Sequence, residues 1–225
     1  MLLLATANPH KVEEMQAIFG SLLPDLRLLS LADLPGGPPP EPAETGTTFE
    51  QNATIKARAY AAASGMPCLA DDSGLEIDAL QGRPGVISSH YCTDGQETGM
   101  TRAQRDQANN QRVLRELEGV PPHHRTARFV CVMALYLHPA KPNAILVRGT
   151  FEGRIGLPTE VPRGSHGFGY DPLFLVAPDF THSGAELEPS EKNRLSHRAA
   201  AASQMAAKIR ELLAADPIAF GPNDP

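Results

Sequence analysis

The sequence predicts an α/β fold, and three observations carry that prediction. An apolar run at residues 2–5 is followed by a polar loop and then by apolar residues at helical spacing. An alanine-rich helical stretch at 48–64 leads directly into a second apolar run at 67–70. Such alternation of short buried strands with amphipathic helices places the strands in one sheet, covered by the helices.

Each element has its own signal. Leu2 to Ala5 reads as a first buried strand. After Thr6-Ala7-Asn8, Pro9 suits a first helical turn, where its missing N–H costs nothing, and Asn8 is a candidate cap. Val12, Met15, Ile18 and Phe19 form the apolar stripe of that helix, and Gly20 is its expected end. Residues 35–46 are rich in Pro and Gly and read as a partly stiff loop inside one sheet-and-helix unit. Phe49, Ala53, Lys56 and Tyr60 recur at near-helical steps before Gly65 and Pro67 stop the helix. Thr101 to Glu118 reads as an amphipathic helix. Thr126 to Leu137 reads as a long strand, with Ala144 to Phe151 its antiparallel partner across the turn at 138–143. Leu173 to Val176 is a further strand. A long alanine-rich helix reaches about Ala214, capped by Ser190 or Ser196, and residues 216–225 are expected to fray.

Bulk properties narrow the function. The chain has 225 residues, enough for one large domain or two small lobes, and 41% of them are hydrophobic. A net charge of −6 argues against a nucleic-acid surface but leaves room for a small basic pocket. Cys68, Cys92 and Cys131 are odd in number and widely spaced, which is neither a disulfide framework nor a zinc signature and fits a reducing cytoplasm. No targeting signal or membrane-length apolar run is evident, so a soluble cytoplasmic protein is expected.

The chemistry concentrates at Pro67-Cys68-Leu69-Ala70-Asp71-Asp72-Ser73-Gly74-Leu75. An apolar strand ends on two carboxylates, and Gly74 permits a turn. Open α/β sheets bind ligands at the carboxyl ends of their strands. One aspartate can hold a divalent cation while the other orients a water or shares the metal. Magnesium suits one or two protein carboxylates, with water and phosphate completing its shell. An Asx turn that merely stops the strand has the same sequence. Lys11, in the first turn of the first helix, stands where free N–H groups favour a phosphate chain, although an ordinary capped helix has the same composition. Glu44, just before the second helix, can point into the same site as Asp72. His90 and Tyr91 follow a Gly-Arg-Pro-Gly turn at 82–85.

Two later stretches stand out. In Gly164-Ser165-His166-Gly167-Phe168-Gly169-Tyr170-Asp171-Pro172, three glycines interleave with aromatics, which suits either a nucleobase platform or a wide turn with a core aromatic. Residues 189–198 hold Lys192, Arg194, His197 and Arg198 in a short basic span.

Five motifs in register resemble the non-canonical purine nucleoside triphosphate pyrophosphatases, the inosine/xanthosine triphosphatase family. They are Thr6 to Lys11; Glu44 to Phe49 with Asn52-Ala53; Ala70 to Leu75; Gly167 to Pro172; and Lys192 with Ser196-His197-Arg198. The resemblance implies an elongated central mixed sheet with flanking helices, a single two-lobed domain with its active site in the cleft between the lobes, and a homodimer. It implies Mg2+-dependent hydrolysis of ITP, dITP and XTP to the monophosphate and pyrophosphate, removing deaminated purines from the nucleotide pool. Thr6, Ala7, Asn8, Pro9, His10 and Lys11 are then the triphosphate-binding turn. Asp72 is metal ligand and proton acceptor, supported by Asp71 and by Glu44 as the second metal residue. Ser73 touches substrate, and Phe168, Gly169, Tyr170, Asp171, Lys192, His197 and Arg198 bind the nucleotide. Arg198 or backbone N–H groups would donate to a 6-oxo purine. Two positions depart from the family pattern: Ala7 stands for a usual glycine, and His90 for a usual arginine, which makes the contact at His90 pH-dependent. The motifs at 168–171 and 196–198 speak against the related Maf-like pyrophosphatases.

Overall fold

The structure is a computed structural model that describes residues 1–137, 143–216 and 220, with the side chains of Pro9 and His10 left out of the description. Six strands form one sheet among the described residues: β1 (Leu2–Leu4), β2 (Leu28–Ser30), β3 (Cys68–Ile77), β4 (Thr126–Tyr136), β5 (Ile145–Ile155) and β6 (Phe174–Val176). Their order is β2-β1-β3-β4-β5-β6. β1 pairs in parallel with β2 and with β3, whereas β5 and β6 are antiparallel, so the sheet is mixed as expected. The helices are α1 (Pro9–Leu22), α2 (Phe49–Ser64), α3 (Arg102–Glu116), α4 (Pro189–Leu195) and α5 (His197–Ala215).

The chain divides into two compact units. The first comprises residues 1–72, 131–149 and 198–225, and the second residues 73–130 and 150–197. Each has its own apolar core. In the first unit, Met15 and Phe19 of α1 and Ala202, Met205 and Ile209 of α5 share a buried cluster with Leu2, Leu69 and Met133. In the second unit, Leu75 and Ile77 pack with Tyr91, Val113, Leu117, Phe129 and Phe174. Cys68 and Cys131 are buried core residues, and burial pushes the Cys68 thiol up.

Several boundaries follow the sequence signals. Thr48 caps α2 by accepting the Gln51 N–H at 3.2 Å. Gly65 closes it in the left-handed conformation. Thr101 and Gln104 form a reciprocal capping box at the start of α3.

Others differ. Gly20 does not end α1, which runs on to Leu22. β3 does not stop at Asp71-Asp72 but continues to Ile77, because Leu75 and Ile77 are buried and the Leu75 N–H finds the Ser88 hydroxyl at 2.9 Å. The carboxylates are therefore mid-strand, and Gly74 makes no turn. β5 extends four residues past Phe151. The C-terminal helical region is two helices, since Ser196 is extended between α4 and α5, and Ser190 lies inside α4, whose cap position is Glu188. β2 has no counterpart in the sequence reading. The turn expected after β4 falls mostly outside the described residues, as does most of the tail, yet Phe220 is buried in the first unit's core.

Candidate active site

The first unit gathers the acidic and basic residues around β3. Side chains alternate along a strand, so consecutive aspartates face different neighbours. Lys11, in the first turn of α1, places Nζ 2.8 Å from Asp71 Oδ2. Arg198, at the start of α5, approaches the same oxygen, with Nε 3.8 Å away, and its Nη1 pairs with Glu14 of α1. Asp72 belongs to a separate set. Lys56 Nζ is 3.1 Å from Asp72 Oδ1 and 3.1 Å from Glu44 Oε1. Asn52, one turn before Lys56 on α2, donates to Asp72 Oδ2 at 3.3 Å, and its own Oδ1 accepts the Gly46 N–H at 2.8 Å. One helix face thus fixes both Asp72 and the loop that carries Glu44.

These surroundings drive the two aspartates apart. Both are buried. For Asp71, burial would raise the pKa, but the charges of Lys11, Arg198 and Lys56 outweigh it and hold the carboxyl well below the usual range. For Asp72, burial wins: Lys56 and Lys11 oppose it, Glu44 reinforces it, and the pKa is raised. Lys56 also loses by burial, yet Asp72, Asp71 and Glu44 keep it charged and raise its pKa. A pair of neighbouring carboxylates with opposed shifts is how a site separates a permanent anion from a proton acceptor.

Glu44 and Asp72 also present a donor set that fits Mg2+. Two carboxylate oxygens converge on one positive charge, the Lys56 ammonium. No cluster of three or more His, Cys, Asp or Glu side chains able to hold a metal occurs among the described residues, so water and substrate oxygens would complete the shell.

In the turn at 6–11, Thr6 Oγ1 accepts the Asn8 N–H at 3.2 Å, and the Asn8 carbonyl accepts from Val12 N–H. Ala7 is exposed and is not among the non-glycine residues with positive φ, so this turn does not require the glycine that usually stands there. The side chains of Pro9 and His10 lie outside the described set. Ser73 is half-buried, next to Asp72 on β3.

The second unit holds the aromatic turn. Asp171 organises it: its Oδ2 accepts the Phe168 N–H at 2.8 Å and pairs with Lys192. Gly167, at φ +74°, is required there, because a Cβ would stand 2.2 Å from Asp171 Oδ2. Phe168 is flanked by cations, with Arg102 4.6 Å and Lys192 Nζ 5.5 Å from its ring centroid. Tyr170 turns inward instead. It is buried, and its hydroxyl donates to the Ser88 carbonyl at 2.7 Å. His197 stacks on Phe129 with centroids 5.2 Å apart. His90 contacts Glu97 Oε2 through Nε2 at 3.0 Å and Ser89 through Nδ1 at 2.9 Å.

The expected residues therefore fall into two sets: Lys11, Glu44, Asp71, Asp72 and Arg198 in the first unit, and Phe168, Asp171, Lys192 and His197 in the second. Lys56 and Asn52 were missed as site residues. Their signal was present, as a lysine and an asparagine four apart on an otherwise alanine-rich helix beside a buried acidic strand.

Residues 2–208 match the Ham1 family. The dITP/XTP pyrophosphatase of Pseudomonas syringae pv. tomato is 47% identical over 200 residues, covering 89% of this chain and 92% of that protein. The dITP/XTP pyrophosphatase of Geobacillus kaustophilus is 42% identical, covering 94% and 95%. Among solved structures, a HAM1 protein from Coxiella burnetii superposes with a TM-score of 0.77 at 40% identity, covering 93% of this chain and 98% of that one. The Staphylococcus aureus Ham1 protein gives 0.76 at 32% identity, covering 94% and 98%. A family match over nearly the whole length, and structural agreement at this level, establish that the chain belongs to the Ham1 family.

Proposed function

We propose that this protein hydrolyses deaminated purine nucleoside triphosphates, dITP, XTP and ITP, to the monophosphate and pyrophosphate. The observation that carries the reading is the pair of adjacent buried carboxylates on β3, Asp71 and Asp72, each gripped by its own lysine and shifted in opposite directions by its surroundings. The names of the relatives supply the substrate class.

In this mechanism Lys11 and the N-terminal turn of α1 hold phosphate oxygens, and Asp71, permanently ionised, keeps the lysine in place. Glu44 and Asp72 would hold Mg2+, which supplies positive charge to the phosphate oxygens and acidifies a water. Asp72, the more basic carboxylate, accepts the proton of the attacking water. The water oxygen bonds to the α-phosphorus, the bridging α–β bond breaks, and pyrophosphate leaves with the electron pair. Lys56 balances the charge of Asp72 and Glu44 and holds both carboxylates in place before the proton moves. Such chemistry is mainly positioning and electrostatics. Phe168 is the stacking face for the base, with Lys192 beside its ring, and His197 is a further nucleotide-binding residue carried by the family resemblance. The reading includes a cytoplasmic homodimer, as in the family resemblance. No described helix is long and apolar enough to cross a membrane.

The test is pyrophosphate release with Mg2+ across dITP, XTP, ITP, GTP, ATP and UTP, with sedimentation for the oligomer. Strong preference for the first three is expected. Preference for UTP would remove the purine reading, and no release from any of them would remove the enzymatic one.

A further inference from the structure

The base-stacking residue proposed above is held on one side by Asp171, but the turn carries a flexible point next to it. Gly169 follows Phe168 with φ +62°, and a Cβ built there meets nothing within 4 Å. A glycine in open space is the point at which a peptide unit flips most easily. A groove of about 460 Å³ also runs beside it, lined among others by Asp106, Asn110, Phe168, Gly169 and Leu173, so side-chain packing is incomplete on this side.

Both backbone groups of Gly169 are nevertheless taken, and by one helix. Asp106 Oδ2 accepts the Gly169 N–H at 3.1 Å, and Asn110 Nδ2 donates to the Gly169 carbonyl at 3.0 Å. Arg102 covers the Phe168 ring. Residues 102, 106 and 110 are four apart, so they form one row along α3. The helix is itself braced. Its capping box fixes the end next to Arg102. Asn109 Oδ1 accepts the Cys92 N–H at 2.7 Å, and its Nδ2 donates to the Ser88 carbonyl at 3.2 Å. Tyr170 donates to that same Ser88 carbonyl. The residue after Gly169 and the helix that grips Gly169 are thus tied to one point of the 85–93 segment.

We infer that Asp106 and Asn110 are positioning residues for base recognition: α3 clamps the Gly169 peptides and thereby fixes the orientation of the Phe168 ring against a purine. The inference rests on the proposed role of Phe168. Asp106 and Asn110 touch no reacting group, so their loss should weaken nucleotide binding without slowing the chemical step.

The experiment compares Asp106→Ala, Asn110→Ala, Asp106→Asn and Phe168→Ala in the full-length protein. It measures the Michaelis constant and kcat for dITP, and the inhibition constant of inorganic tripolyphosphate, a probe with no base. Each alanine variant on α3 is expected to raise the Michaelis constant for dITP about fivefold, the worth of one hydrogen bond. kcat and the tripolyphosphate constant should change less than about twofold. Asp106→Asn, which keeps an acceptor for the Gly169 N–H, should recover most of the lost affinity. If Phe168→Ala weakens dITP binding but the α3 variants do not, the clamp is wrong and the base reading stands. If Phe168→Ala has no effect, the base reading fails and the clamp with it. If tripolyphosphate inhibition weakens in step with dITP binding, the helix has only a structural role and the inference is overturned. Should an alanine variant fold poorly, Asn110→Asp, which keeps the size and removes the donor, decides the same question.

Discussion

Asp71 and Asp72 are adjacent on β3, yet they belong to different ion pairs: Asp71 Oδ2 takes Lys11 at 2.8 Å and Asp72 Oδ1 takes Lys56 at 3.1 Å. The alternation of the strand separates them, and burial then makes their unequal charge balance count. Substituting each should produce a different defect. Asp72→Asn removes the proton acceptor and should lower kcat by about 10²–10⁴-fold, with thermal stability near wild type. Asp71→Asn instead takes the buried carboxylate from Lys11, and one of two from Arg198, and should cost about 3 kcal/mol of stability. Steady-state rates and thermal melts on both proteins check the assignment. An active Asp72→Asn enzyme would transfer the catalytic role elsewhere.

Lys56 is the nearest charge that holds the Asp72 pKa down against burial. Lys56→Met should therefore raise the Asp72 pKa further. A base must be deprotonated to act, so activity is lost as pH falls through that pKa. The acid limb of the kcat profile should move to higher pH in the variant. At its optimum the variant should also lose about tenfold or more in kcat, because charge between Glu44 and Asp72 is no longer compensated. A pH–rate profile with an unmoved acid limb would dissociate Lys56 from Asp72.

What the sequence disclosed and what it hid divide along the range of the forces involved. Strand β1, the first half of β3 and the helix starts at Thr48 and Thr101 were legible because neighbouring residues decide them. β2 was not, since three residues become a strand only by pairing with β1. Lys56 read as one step of an ordinary helix, because its partner Asp72 lies 16 residues away. Ser196 was one of the two caps offered for the long helix and does stand directly before it, but the separate short helix α4 was not read. The fate of Arg198 was the least legible of all. Its partner Glu14 is 184 residues distant, and nothing local distinguishes an arginine that reads a base from one that anchors a buried acid.

Arg198 supplies a third prediction from that contrast. Its guanidinium is buried and paired with Glu14 and Asp71, and those charges raise its pKa against the effect of burial. Arg198→Ala should thus destabilise the protein by about 3 kcal/mol, because Glu14 and Asp71 both lose the guanidinium, although Asp71 keeps Lys11. Glu14→Gln should reproduce part of that loss. Thermal unfolding of both variants, alongside the Michaelis constant for ITP, separates the possibilities. A raised Michaelis constant with an unchanged melt would place the guanidinium on the base.

Glu160 gives a pH test of the second unit. Arg154 grips both its oxygens, with Nη1–Oε2 at 2.9 Å and Nη2–Oε1 at 2.7 Å, and the Leu157 N–H donates to Oε2 at 2.7 Å. The hydrogen bonds from Arg154 and Leu157 hold the Glu160 carboxyl down at about 2. Its folded pKa lies below its unfolded value, so its stabilising contribution is complete above the ordinary glutamate range. That contribution is lost as pH falls from there toward about 2. Glu160→Gln should melt below wild type at neutral pH, and the gap should close as both proteins are titrated through that acid window. The side chain is one-third exposed, so the gap should also narrow in high salt. A difference in melting temperature that stays constant from neutral pH down to the bottom of the window would mean that packing, and not the ionised pair with Arg154, accounts for what Glu160 contributes.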